Sequence, residues 1–231
     1  MEFELPTTRR EAVANHLREE ILSGKLEPGR PIRDSEIAAR LNVSITPVRE
    51  AITELVAEGL IDAAANKRRS VSVLTQRQAM ELMDALGIVT VAALERARTL
   101  STAQLEQLST AVDLFTREVS QYRFEASRTR LIDIIRVLLE AADNAELEAM
   151  AERVMLRSLR RISLYPSGHL VPLWVDAFQD MLSCLRRGEN AQAQARLREF
   201  FARLVQRMKE DRPADAVLLP GAPNTVEPAG T

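Results

Sequence analysis

Asn42-Val43-Ser44-Ile45-Thr46-Pro47-Val48-Arg49-Glu50-Ala51-Ile52-Thr53-Glu54-Leu55-Val56-Ala57-Glu58-Gly59-Leu60 reads as a turn followed by a helix with two unlike faces. Val48, Ile52 and Leu55 recur at spacings of four and three and make one apolar stripe. Arg49 follows Val48 directly, so it projects about 100° away from that stripe. Pro47 falls in the first turn, where its missing N–H costs nothing, and Gly59 stops the helix. The predicted helix spans about Thr46 to Glu58. An arginine near a helix start, behind the hydroxyls of Ser44 and Thr46, supplies what base edges and phosphates require. Alone, the stretch also suits an ordinary amphipathic helix with a surface arginine. Its neighbours in sequence decide between the two.

Upstream, Thr8 caps a predicted helix running to about Ser23, with Val13, Leu17 and Ile21 inward and Gly24 as its stop. Glu27-Pro28-Gly29-Arg30-Pro31 reads as a tight turn. A short helix follows, about Ser35 to Leu41, with Ile37, Ala38 and Leu41 inward. Downstream, Leu60-Ile61-Asp62 and Ser70-Val71-Ser72-Val73-Leu74 are short β-branched runs on either side of Ala63 to Arg69. They predict a two-stranded hairpin with a basic tip. Three helices and a hairpin over residues 8–74 make a winged helix-turn-helix. Its second helix-turn-helix helix enters a major groove, and its wing follows the adjoining backbone or minor groove.

The remaining composition narrows the classes. The chain has 231 residues, 46% apolar and 28% charged, as expected of a soluble globular protein. No stretch approaches the roughly 18 consecutive apolar residues of a membrane span. Residues 1–10 mix acidic and basic groups without an apolar core, so no signal peptide is expected there. A single cysteine, Cys184, fits a reducing cytoplasm and lies in an apolar helical pattern as a small core residue. An enzyme would need a nucleophile–base pair, a metal cluster or a phosphate loop. Two distant histidines, His16 and His169, and one unsupported cysteine offer none of these. Net charge is −2 overall. Residues 1–74 carry 11 basic against 12 acidic side chains. Indiscriminate binding to nucleic acid is therefore disfavoured, and the cations must be concentrated locally. Lys67-Arg68-Arg69 is the densest basic run.

From Thr75 the sequence is a series of helical patterns, at about 76–98, 102–121, 126–141, 145–164, 171–187 and 190–209. Ser101, Asp143-Asn144, Pro166-Ser167-Gly168 and Gly188 separate them. This predicts a six-helix bundle over 75–210 and a mainly α protein. Residues 211–231 hold four prolines, small residues and no periodicity, and read as a disordered tail.

The residues from Leu26 to Val73 resemble the DNA-binding domain of the GntR family of bacterial transcription regulators. Pro28-Gly29, Glu36-Ile37-Ala38, Leu41, Val43-Ser44, Thr46-Pro47-Val48-Arg49-Glu50-Ala51 and Glu58-Gly59-Leu60 carry the resemblance. It implies that Ser44, Thr46 and Arg49 read bases and phosphates, and that the wing tip, Asn66, Lys67, Arg68 and Arg69, makes a second contact. Ile45 stands where the family usually has arginine or lysine. Its place implies either a lost cationic contact or an apolar touch on a thymine methyl. Arg33 and Arg40 are further phosphate candidates, and a solvated helix face suits them equally.

With the bundle, the chain resembles the FCD subfamily, in its six-helix VanR-like form. Leu94-Glu95, Ala141-Ala142-Asp143-Asn144, Gly188-Glu189 and Ala193 carry this second resemblance. Many FCD domains hold a divalent metal through one aspartate and three histidines, and the metal holds a carboxylate effector. Counting from the matched residues puts those positions at Leu131, Ile135, Phe178 and Phe200, and a frequent bundle arginine at Val91. None can ligate a metal, so no metal cofactor is expected. Either these five residues line an apolar pocket for an acyl or aromatic effector, or they fill the core and no effector binds. Arg136, Arg157 and Gln179 are candidate polar anchors, each also readable as a surface residue. The family implies a cytoplasmic, nucleoid-associated bacterial homodimer on inverted-repeat double-stranded DNA, and a repressor released by its effector. An architectural DNA-binding protein with a filled bundle is the alternative.

Overall fold

Thr8 opens the first helix, α1 (Arg9–Leu22), by a reciprocal cap: its hydroxyl accepts the Glu11 backbone N–H, and the Glu11 carboxylate accepts the N–H of Thr8. A computed structural model of the chain describes residues 8–64, 68–121, 123–164, 170–211 and 216–217, with the side chains at 124, 125 and 161–164 excepted. The described chain divides into two compact units, 1–74 and 75–231.

In the first unit α1 is followed by α2 (Asp34–Leu41) and α3 (Ile45–Ala57). Asn42 ends α2 in the left-handed region at φ 52°, a conformation asparagine tolerates, and this turns the chain sharply into α3. The α3 helix begins at Ile45, one residue earlier than the proline suggested, with Ser44 as its N-cap residue. Val48, Ala51, Ile52 and Leu55 are buried and α3 packs on α1, whose Val13, Leu17 and Ile21 are buried in turn. Each of these valine, leucine and isoleucine side chains contributes about 1.5–3 kcal/mol by leaving water.

The hairpin is β1 (Ile61–Ala63) paired antiparallel with β2 (Arg69–Val71), in register Ile61 with Val71 and Ala63 with Arg69. It is shorter than the sequence suggested. Its base continues by the Ser72 N–H to the Leu60 carbonyl at 3.0 Å. The other edge of β2 is covered by the turn at 29–32. Gly29 N–H reaches the Val71 carbonyl and Ile32 N–H the Arg69 carbonyl, each at 2.8 Å. Gly29 has φ 79°, which glycine adopts without strain. This pairing sets the start of α2 beside the wing strand.

Among the described residues the elements of the second unit are helices: α4 (Gln76–Ala97), α5 (Thr102–Ser120), α6 (Phe124–Ala142), α7 (Ala145–Leu164), α8 (Val171–Arg186) and α9 (Asn190–Asp211). Thr75 and Ser101 cap α4 and α5 with reciprocal glutamine boxes. The central helix is α4, which packs on α6, α7 and α9; α5 packs on α6 and α8, and α8 on α9. Leu86, Leu94, Leu108, Ile134, Leu138, Met181 and Leu197 are buried between them. Among the described residues no helix is long and apolar enough to cross a membrane.

One expectation needs correction. The composition of the segment after α9 predicts no structure, yet Ala216 and Val217 return to the start of α4. The Gln76 N–H donates to the Ala216 carbonyl at 2.8 Å, and Thr75 bridges Val217. The first turn of a helix leaves N–H groups without partners, and a returning strand-like residue satisfies one of them. Residues 212–215 and 218–231 lie outside the described residues.

Candidate nucleic-acid interface

The two-faced reading of α3 is realised. Beneath, Val48, Ala51, Ile52 and Leu55 are fully buried. On the opposite side Ser44, Ile45, Thr46 and Arg49 are exposed, Ile45 at 41%. Ser44 makes no side-chain capping bond to the helix, so its hydroxyl is not committed there. The Arg49 side chain is 66% exposed. Its Nε donates to Asp34 Oδ2 at 3.0 Å.

Arg69 arrives at the same carboxylate from the wing, Nη1 donating to Asp34 Oδ1 at 3.0 Å. The structure thus brings Arg49 and Arg69 together on one aspartate at the start of α2. Sequence reasoning missed Asp34. Its signal was weak, an acidic residue in the first turn of a short helix, where any carboxylate favours the helix dipole. The partners lie 15 and 35 residues away.

The other basic candidates separate. Arg40 grips Glu20 of α1 with two bonds, at 2.7 and 2.6 Å, and the Glu20 side chain is only 12% exposed. Such a two-pronged pair fixes α2 against α1. Arg33 pairs with Glu36 at 2.7 Å on an exposed face. Arg68 is exposed in the wing, its carbonyl accepting the Ala64 N–H at 2.9 Å. Asn66 and Lys67 lie outside the described residues.

A second arginine network holds α3 from behind. Arg18 of α1 donates to Glu58 through Nε at 2.9 Å and Nη2 at 2.5 Å, and to Glu54 through Nη2 at 3.1 Å. These bonds, with that to Glu58 foremost, hold the Arg18 guanidinium above its ordinary pKa despite partial burial. The flank of α3 carrying Glu50, Glu54 and Glu58 is acidic.

Inside the bundle, Val91, Leu131, Ile135, Phe178 and Phe200 are all buried, none more than 7% exposed. Phe178 stacks edge-on against Phe115, ring centres 5.5 Å apart, and lies 5.8 Å from Trp174 and 6.2 Å from Phe200. Arg136 and Gln179 are exposed, and Arg157 is half-buried. Among the described residues no three His, Cys, Asp or Glu side chains cluster as a metal site needs. His16 lies 3.3 Å from Glu20 on α1, and His169 lies outside the described residues.

The sequence reading also missed a set of buried polar side chains. Thr90, Ser127, Arg128, Ser158 and Arg160 are each below 8% exposed. Ser127 and Arg128 continue the stripe of Leu131, Ile134, Ile135 and Leu138 one turn upstream. That continuation was the available signal.

Fold and surface together define a winged helix-turn-helix module followed by an all-helical domain. Residues 9–73 match the family of bacterial regulatory proteins, gntR family. Over 76 residues the chain is 41% identical to the Probable D-xylose utilization operon transcriptional repressor of Paenarthrobacter nicotinovorans, covering 31% of this chain and 34% of that protein. Over 63 residues it is 38% identical to the Nta operon transcriptional regulator of Aminobacter aminovorans, covering 27% of this chain and 30% of that protein. The matched stretch spans about a third of these curated relatives. Solved structures extend the fold likeness. A GntR protein of Rhodococcus sp. RHA1 superposes with TM-score 0.76 at 20% identity, over 88% of this chain and 99% of that one. E. coli McbR/YncC gives 0.70 at 19% identity, over 89% and 99%.

Proposed function

We propose that the protein is a sequence-specific DNA-binding transcriptional regulator and acts as a repressor. The observation that carries this is the exposed row Ser44, Ile45, Thr46 and Arg49 on a helix whose other face is fully buried. A helix presented this way offers hydroxyls and a guanidinium to a major groove while its packing fixes the register. The names of the curated relatives, a transcriptional repressor and a transcriptional regulator, support the same reading for the shared unit. One winged helix reads a short half-site, so the working form is a homodimer on an inverted repeat. As a regulator of this kind the protein works in the bacterial cytoplasm, on the nucleoid, and is not an enzyme.

The test is selection from a pool of random duplexes, then anisotropy on the enriched sequence. Arg49→Ala is expected to lose about 1–3 kcal/mol of binding to it. Wild-type affinity in that variant, or no enrichment by the wild type, defeats the proposal.

The bundle serves in this reading as an FCD-type sensor without a metal, whose effector is apolar or acyl. Two bonds set its levels: Arg96 Nε to the Ala142 carbonyl, and Ser158 Oγ to the Leu82 carbonyl, both at 3.4 Å. Counting back at 1.5 Å per residue, Leu82, Arg128 and Ser158 share a level about 21 Å from the shared ends of α4 and α6. Val91, Leu131 and Ile135, all buried, supply apolar wall for such an effector. The aromatic packing of Phe178 and Phe200 supports the other reading, a filled core with no effector. Native mass spectrometry of the freshly purified protein separates them. An organic adduct supports the sensor, a clean protein that takes up no added fatty acid supports the filled core, and a stoichiometric metal overturns both.

A further inference from the structure

Asp34 sits at the first turn of α2, its side chain 21% exposed, with one oxygen toward α3 and the other toward the wing. Two cations from separate elements converge on one carboxylate, at 3.0 Å each. A carboxylate is a costly group to keep beside a polyanion, since phosphates repel it. Helix stability does not need this residue alone, because Glu36 already supplies a negative charge in the same turn. The local backbone makes the convergence specific. The Ile32 N–H to Arg69 carbonyl bond fixes the chain two residues before Asp34 against the wing strand. The bond to Arg49 uses Nε, the nitrogen nearest the chain. That orients the planar guanidinium while its terminal nitrogens are the edge that forks onto guanine or phosphate.

We infer that Asp34 is a positioning residue of the DNA-reading surface: it holds Arg49 and Arg69 in one relation and withholds part of their charge from non-cognate DNA. The inference rests on the DNA-binding reading above. Non-specific affinity comes almost wholly from counterion release by cations meeting phosphates. A guanidinium already paired with a carboxylate contributes less to that term. At the cognate site the same guanidinium gains base acceptors in a fixed place, and the charge it lends to Asp34 matters less. The surface therefore gives up general affinity and keeps discrimination. The slight acidity of residues 1–74, 11 basic against 12 acidic groups, follows the same direction.

The experiment compares the full-length wild type with Asp34→Asn and Asp34→Glu. The readouts are binding to the duplex enriched by the wild type and to a scrambled duplex, at several salt concentrations, with thermal unfolding alongside. Asparagine removes the charge. The expected result is tighter binding to scrambled DNA, a salt slope steeper by about 1, and an operator-to-scrambled ratio lower by roughly tenfold. Glutamate keeps the charge and the helix-start preference but displaces both arginines. Its expected result is an unchanged slope with a lowered ratio. A merely structural residue would lower the unfolding temperature and weaken both duplexes equally, and that result overturns the inference. So does an unchanged ratio in both variants. If the asparagine variant does not fold, the glutamate variant decides alone, by its ratio at unchanged slope. If the wild type enriches no duplex, the DNA-binding reading itself fails and takes this inference with it.

Discussion

Gly87 of α4 lies directly against the ring of Phe201 of α9: a Cβ at Gly87 would stand 2.6 Å from Phe201 Cγ and 2.8 Å from its Cβ. Those are the atoms nearest the backbone of the phenylalanine, so swinging the ring does not relieve the contact. Alanine at 87 gains up to about 1 kcal/mol of helix propensity. Overpacking of this kind costs about 1–3 kcal/mol. Gly87→Ala is expected to lower the unfolding temperature of the protein, measured by circular dichroism. An unchanged or raised temperature would show that α4 and α9 separate easily.

Much of this architecture was legible because it is periodic. The stripes of α1, α3 and α9 gave the helices to within a residue or two, and Thr8 announced its cap. What was illegible depends on contacts between distant residues. Asp34 meets Arg69 only after the turn at 29–32 folds onto β2, a pairing no local pattern encodes. Arg40 reads equally as a phosphate contact or a solvated face, and its ion pair with Glu20, one helix away, leaves no local signal. Ala216 and Val217 lie in a proline-rich run whose composition predicts no partner, yet one unfilled N–H at Gln76 recruits them. Gly87 reads in sequence as a weak point of a helix, and only the position of Phe201 explains it.

Ile45 is an exposed aliphatic side chain at the first position of α3, 41% accessible and one turn before Arg49. Placed in a major groove, it meets apolar groups only at a thymine methyl. Ile45→Ala is expected to weaken operator binding by about 1 kcal/mol, near the value of one or two buried methylene groups. Uracil in place of thymine across the half-site is expected to weaken the wild type and leave the alanine variant unchanged. Ile45→Arg is expected to steepen the salt slope by about 1, as one added phosphate contact does. Equal sensitivity of wild type and Ile45→Ala to uracil would remove the methyl contact.

Acid sensitivity at the first helix follows from Glu11. The Thr8 backbone N–H, then the Thr8 hydroxyl, hold its carboxyl below the ordinary range; Arg10 adds a smaller pull in the same direction. A pKa lower in the folded than in the unfolded chain stabilises the fold above the unfolded value. That contribution is lost as pH falls through the folded value. The window therefore lies below about pH 4. Glu11→Gln keeps an acceptor for the Thr8 N–H and loses the charge. Its unfolding temperature is expected to fall less steeply than that of the wild type over this window, measured by thermal scans across acid buffers. Parallel slopes would mean that the cap does not titrate with folding.

Phe178 decides between the two readings of the bundle interior. It is 1% exposed and sits among Phe115, Trp174 and Phe200, with ring separations of 5.5–6.2 Å. If these rings are permanent core, truncating Phe178 removes the transfer energy of a full ring and leaves a void, about 3–5 kcal/mol in all. If they line a space that an acyl chain enters, one wall of the ring already lacks neighbours, and truncation costs distinctly less. A filled core requires that Phe178→Ala lose the full core value, measured by urea unfolding of delipidated protein. Phe178→Leu, which keeps most of the volume, is expected to recover the greater part of it. A small loss, together with tighter uptake of fatty acid by the alanine variant, would instead place the end of an acyl cavity at Phe178.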